Sequence, residues 1–232
     1  MKSSILSLSN IFKTICFRPV RGKEYGFTKD TEKSWEKEYD NLSSYLMECI
    51  NKNDEKIFYC LMNGEDFFGR YLNRAFGGFR TMNRCDAAIS RFSCDLDGNV
   101  YPCSSATCDS MFALKNNLTQ VFKDNLIAQV RRCLDCPFKK MCGGECLIEI
   151  AYNNGINPIM CRFKQHLILL AAYLELTYWN KNPYLYEKLQ SFSIEKQKRY
   201  QKDPELYNFL SRHPELSFVE GKKLFDKQMK RY

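Results

Sequence analysis

Histidine is nearly missing from this chain: His166 and His213 are the only two in 232 residues. They stand too far apart for a histidine metal site, and each is expected on a helix surface or in a core. Missing too is any apolar run near the roughly eighteen residues that a membrane-crossing helix needs. The stretch MKSSILSLSNIFKTICF is interrupted by Asn10 and Lys13 and shows no small-residue cleavage pattern. Neither a signal peptide nor a membrane partner is expected from it. No internal repeat or low-complexity segment is visible. The formal charge of +8 raises nucleic acid as a partner, but the surplus is spread out, with a concentration toward the C-terminal helices. A thiolate-rich centre would also offset part of it. Nucleic acid is therefore not expected.

What the chain has in excess is cysteine, twelve in all. Seven of them follow one order. Cys85 and Cys103 flank Gly98 as C-x12-G-x4-C, Cys133, Cys136, Cys142 and Cys146 read C-x2-C-x5-C-x3-C, and Cys161 follows alone. An even count invites a disulfide framework, but such frameworks belong to secreted chains. The setting read from the sequence is the reducing cytoplasm, where clustered thiols mean metal or redox chemistry. Thiolates bunched this way suit iron–sulfur clusters, because four sulfurs must converge on one small inorganic core. The array is too rich in thiolate for one zinc ion, and C-x5-C-x3-C is unusual beside the paired CxxC knuckles of zinc fingers. Structural zinc, and disulfides or free thiols, stay open as lesser alternatives.

Within the block, the Cys133/Cys136 pair puts two sulfurs on one turn, which Pro137 helps to end. Cys142 and Cys146 lie four apart, so one helical turn would set them on the same side. Gly143 and Gly144 between them remove side chains where a cluster would crowd the backbone, and would let amides point at sulfide. Lys139 and Lys140 either offset cluster charge or form a solvated surface. Cys16, Cys49 and Cys60 lie outside the array and read as small buried hydrophobes.

A hydrophobic content of 44% with 14% aromatics supports a folded chain. Residues 10–20 read as a short buried strand ended by Pro19. From Thr31 to about Asn51, Trp35, Tyr39, Leu42, Leu46 and Ile50 recur at helical spacing, with Asp30 or Thr31 as N-cap. A second helix is expected over about Glu65–Arg74, closed by Gly77 and Gly78. Around Arg91–Cys103 the period changes to two, and Asp97-Gly98 marks a hairpin that would bring Cys94 near Cys103. A linker and a short helix, TQVFKDNLIAQV, come next. The run FKQHLILLAAYLELTYW predicts a long helix with no breaker before Pro183. Residues 184–232 read as two or three short helices broken at Pro204 and Pro214. The fold class is α+β.

With hairpin and cysteine block in place, the region 85–161 resembles the SPASM domain of radical S-adenosylmethionine enzymes. The residues that carry the likeness are Cys85, DLDGNVYPC ending at Cys103, CLDCPFKKMCGGEC over 133–146, and Cys161. The resemblance implies three parts: terminal β/α elements of a partial barrel over 1–80, the SPASM domain over 81–180, and a helical extension over 181–232. It implies two auxiliary 4Fe–4S clusters. Cys85, Cys103 and Cys146 would bind the first, with Cys94 or Cys108 as fourth ligand, or with an open iron that receives a substrate thiolate. Cys133, Cys136, Cys142 and Cys161 would bind the second. Such interleaving would make folding depend on metal.

The family's catalytic signature, C-x3-C-x2-C, is absent. S-adenosylmethionine would therefore enter only through a missing or separate catalytic half. No catalytic residue is assigned, and whether this chain is itself an enzyme stays open. Ser104 stands where sulfatase-maturing relatives place an acidic residue, so the chain looks more like maturases of ribosomally made peptides. The implied role is to relay electrons or anchor a peptide or protein substrate. A standalone electron-transfer iron–sulfur protein and a zinc-stabilised interaction module are the alternatives. The lysine-rich stretch from Ser193 either docks an acidic precursor peptide or packs its own face of Phe192, Tyr200, Leu206, Phe209, Leu210, Phe218 and Leu224 inward.

Overall fold

Helix α2, Lys29–Lys52, begins on a reciprocal pair of threonines. The Thr28 hydroxyl accepts from the Thr31 N–H at 3.3 Å, and the Thr31 hydroxyl accepts from the Thr28 N–H at 2.7 Å. This is a capping box, and it moves the N-cap to Thr28 from the expected Asp30 or Thr31. The computed structural model describes residues 2–17, 28–64, 67–79, 92–107, 109–113, 133, 135–152 and 155–202. They are mostly helical, with one small antiparallel sheet, as an α+β chain would be. The helices are α1 (Lys2–Ser9), α2, α3 (Lys56–Gly64), α4 (Phe67–Gly77), α5 (Lys139–Cys142), α6 (Leu147–Tyr152), α7 (Pro158–Lys181) and α8 (Pro183–Lys202); the strands are β1 (Ser93–Cys94) and β2 (Val100–Tyr101). No described helix is long and apolar enough to cross a membrane.

The chain divides into two compact units. One comprises Met1–Arg18, Ser34–Phe79 and Leu167–Tyr232; the other comprises Pro19–Lys33 and Arg80–His166. The first is helical. Tyr39, Leu42 and Leu46 of α2, Phe58 of α3, Phe68 and Phe76 of α4, Leu174 and Tyr178 of α7, and Leu189 of α8 are all buried in it. Phe58 meets Phe76 and Tyr178 edge to face, with ring centroids 5.8 and 5.0 Å apart. Such pairs add to the burial term. The Tyr178 hydroxyl, deep among them, donates to the Leu46 carbonyl at 2.5 Å. The open carbonyls at the end of α3 are answered from α4 and α8. Asn73 donates to Met62 O at 2.7 Å, Ser193 donates to Asn73 at 3.1 Å, and Lys196 also donates to Met62 O. Asn182 caps α8 through the Leu185 N–H at 3.1 Å and donates to Ile50 O at 2.9 Å. Helix α8 contributes buried Leu185, Leu189 and Ser193 to this core and runs unbroken to Lys202, as a first helix ending before Pro204 would; the expected breaks at Pro204 and Pro214 themselves lie outside the described residues.

The strand expected over 10–20 is not formed across its described part, 10–17; α1 precedes it, then a turn and irregular chain. No strand lies beside this segment among the described residues, so its polar groups turn to α3. Ile15 N–H donates to Cys60 O at 3.1 Å, the Cys60 thiol donates to Phe12 O at 3.4 Å, and Lys56 donates to Asn10 at 3.0 Å. The approach is close: a Cβ on Gly64 would lie 1.9 Å from the Ile15 carbonyl oxygen. Helix α3 itself shows no clear period in sequence, because Ile57, Phe58, Cys60, Leu61 and Met62 are all buried. The helix expected over Glu65–Arg74 forms as α4, and its end is closed by Gly78 N–H to Ala75 O and Phe79 N–H to Arg74 O.

Cys49 and Cys60 are buried as expected, and burial pushes both thiols up in pKa. Cys16 departs from that expectation and is exposed. A raised pKa leaves less thiolate at neutral pH, and the thiolate is what alkylates. Iodoacetamide in non-denaturing buffer is expected to label Cys16 quickly, and Cys49 and Cys60 only after denaturant. Mass spectrometry of digests checks this; equal labelling of all three would contradict the packing.

Candidate metal centre

The second unit carries the hairpin and the cysteines. β1 and β2 pair antiparallel with Ser93 opposite Tyr101 and Cys94 opposite Val100. The turn is held by Asp95, whose carboxylate accepts from the N–H groups of Asp97 and Asn99, the Asn99 amide and the Tyr101 hydroxyl. These bonds, the Asn99 and Tyr101 side chains foremost, hold the half-buried Asp95 carboxyl below its usual range. Residues opposite one another share a face of the sheet. Ser93 and Tyr101 therefore share one face, where Tyr101 is buried, and Cys94 shares the other with Val100 and is exposed. The hairpin forms as expected, but it turns Cys94 away from the face of Tyr101.

That inner face organises one half of the candidate site. Tyr101, Ala106, Phe112, Ala113, Cys146, Ile148 and Ile150 form a buried cluster, and Cys103 and Ile156 pack against it. Cys103 is extended and leads into a short 3-10 turn, Ser104–Ala106. The structure thus gathers Cys103 and Cys146 around one core. Their expected companions, Cys85 and Cys108, lie outside the described residues, as does the helix expected within TQVFKDNLIAQV.

The other half comes from three stretches of chain. The Cys133/Cys136 pair closes a tight turn, with Cys136 N–H donating to Cys133 O at 3.1 Å. Cys142 ends the one-turn helix α5, where Gly143 takes φ +70° and donates to Lys139 O at 2.9 Å. Gly144 follows at φ +89°. Two successive left-handed residues break the helix, so Cys142 and Cys146 do not share a helical turn as the spacing suggested. Cys146 instead immediately precedes α6, with its carbonyl accepting from Ile150 N–H at 3.0 Å. Cys161 stands in the first turn of α7, which Asn157 caps by accepting from Ile159 and Met160 N–H groups. Pro158 suits the position after that cap.

Cys133, Cys136, Cys142 and Cys161 form one electrostatic neighbourhood. The Cys133 thiol is pushed up by burial first, then by the charges of Cys142 and Cys136, with Lys139 and Lys164 opposing. The Cys161 thiol is pushed up by burial, then by Cys142, and more weakly by Cys136 and Cys133, with Lys164 again opposing. Among the described residues no group of three or more His, Cys, Asp or Glu side chains is drawn in tightly enough to grip a metal ion. The donor chemistry nevertheless fits a thiolate-bound metal: four thiols linked by charges felt at Cys133 and Cys161, two adjacent glycines without side chains, and cations whose charges oppose theirs.

Three residues beside these thiols escaped the sequence reading. Gln165 points its amide at the Cys161 sulfur, 3.8 Å away. Lys164 and Glu145 form an ion pair at 2.5 Å, their side chains only 2% and 3% exposed. The Glu145 carboxylate also accepts from the Cys146 N–H at 2.9 Å. The i+3 and i+4 spacing of Lys164 and Gln165 from Cys161 was the available signal. Nothing in the sequence marked Glu145. No protein-family model matches the chain, and neither a curated protein nor a solved structure does.

Proposed function

We propose that this chain is the auxiliary 4Fe–4S cluster-binding portion of a radical S-adenosylmethionine enzyme that modifies a peptide or protein. The observation that carries the reading is the grouping of Cys133, Cys136, Cys142 and Cys161. Three separate stretches deliver four thiols whose charges act on one another. The joint packing of Cys103 and Cys146 on another core supports a separate site, the first cluster of the interleaved order. Cys103 and Cys146, with Cys85, are assigned to that first site; the four remaining cysteines are assigned to the second. Bound there, clusters would carry electrons or hold a substrate thiolate. The chain's own contribution is to space the thiols and supply Lys139, Lys164 and Gln165 around them. The partners in this reading are a peptide or protein substrate and a separate catalytic half that cleaves S-adenosylmethionine, in a reducing compartment.

The test is anaerobic reconstitution with iron and sulfide, then iron, sulfide and zinc counted per chain. Roughly eight irons with matching sulfide, and broad absorbance near ~400 nm, are expected. One or two zinc ions without labile sulfide would replace this reading with a zinc-stabilised interaction module.

A further inference from the structure

Buried ion pairs are costly, because both partners must leave water. One that lies against metal-site residues therefore invites a question about its charges. The Lys164–Glu145 pair joins the residue before Cys146 to the helix that carries Cys161. Glu145 immediately precedes Cys146 and accepts from its N–H. Lys164 lies three residues beyond Cys161 on α7, a spacing that sets the two on the same face of the helix. The carboxylate therefore sits at the Cys103/Cys146 core, and the ammonium is within electrostatic reach of the four-cysteine group. Both ends are almost completely shielded from solvent, so salt and water screen them little.

We propose that the buried Lys164–Glu145 pair is a fixed dipole that raises the reduction potential of the four-cysteine site and lowers that of the site containing Cys146. The proposal rests on the iron–sulfur reading given above. Reduction adds one negative charge to a site, which a nearby cation favours and a nearby carboxylate opposes. An electron supplied to the Cys146 site by a low-potential donor then passes to the four-cysteine site. The first is reoxidised and the second reduced, with no proton moved. The pair gives the relay a direction.

The test uses the full chain with Glu145→Gln/Lys164→Met, which removes both charges and keeps similar shapes. It is reconstituted anaerobically and titrated potentiometrically, with the clusters followed by electron paramagnetic resonance. Signals are assigned in a Cys142→Ser background, and iron and sulfide are counted on the same samples. The two potentials are expected to move in opposite directions. The four-cysteine site should lose about tenfold in its reduction constant, which is ~59 mV for one electron. Lys164→Arg, which keeps the charge, should leave both near their starting values. Shifts in the same direction, or none, at full iron loading would overturn the dipole and leave the functional reading intact. Zinc without sulfide would overturn both. If the double variant does not load, Glu145→Gln alone decides. It should raise the potential of the Cys146 site, and an unmoved potential overturns the proposal.

Discussion

Serine at Cys142 is expected to halve the iron of the reconstituted chain, from roughly eight to about four per molecule. Among charged neighbours, Cys142 acts most strongly on both Cys133 and Cys161, which places it centrally in the four-thiol group. A serine hydroxyl is a poor substitute for a thiolate toward iron. The loss should also loosen the described part of the cysteine-rich unit. Its strands are two residues long, α5 has four residues and α6 has six. Elements that short are marginal by themselves. A structural metal site contributes on the order of ~10 kcal/mol to folding. Hydrogen exchange should therefore quicken over residues 135–152, while α2 and α3 from residue 34 onward stay protected. Unchanged iron content would remove Cys142 from the ligand set.

Replacing Phe58 with alanine should have the largest effect in the helical unit. The side chain is fully buried and shares edge-to-face contacts with Phe76 and Tyr178. Truncating a buried phenylalanine costs about 3–5 kcal/mol, through lost transfer energy and the cavity left behind. That corresponds to a fall of roughly 10 °C in the midpoint of this unit's thermal transition. The matched control is Leu169→Ala on α7. That residue is 57% exposed, and its replacement should change stability by no more than ~0.5 kcal/mol. A comparable loss in both variants would contradict the core as described. Iron loading of the folded Phe58→Ala chain should equal that of the parent, since none of the proposed ligand thiols lies in this cluster.

The long helices and the hairpin could be read from the chain because local pattern decides them. Tyr39, Leu42 and Leu46 mark the buried face of α2, and Asp97-Gly98 with its flanking alternation marks β1–β2. Misreadings came where contacts distant in sequence override a local pattern. The segment 10–17 looks like a strand but spends its hydrogen bonds on α3. The spacing of Cys142 and Cys146 suggested a shared turn only if a helix crossed Gly143-Gly144, and their backbone does not allow it. The four-cysteine group was anticipated through resemblance, not spacing alone, because Cys161 arrives on a separate helix. Lys164 had no outward mark. A lysine on a helix ordinarily reads as solvated, and Lys164 departs from that by its burial against Glu145.

The contact between Gly64 and Ile15 has a consequence for how this chain can diverge. Position 64 holds no chemistry, yet any side chain there would run into the backbone of the N-terminal segment. Neutral drift is closed at that residue as firmly as at a ligand. Among descendants of this sequence, glycine at 64 should persist alongside the cysteines, and its replacement should coincide with a rerouted or lost N-terminal segment. An alignment alone would then rank it with the proposed metal ligands, although what it preserves is room for a carbonyl group.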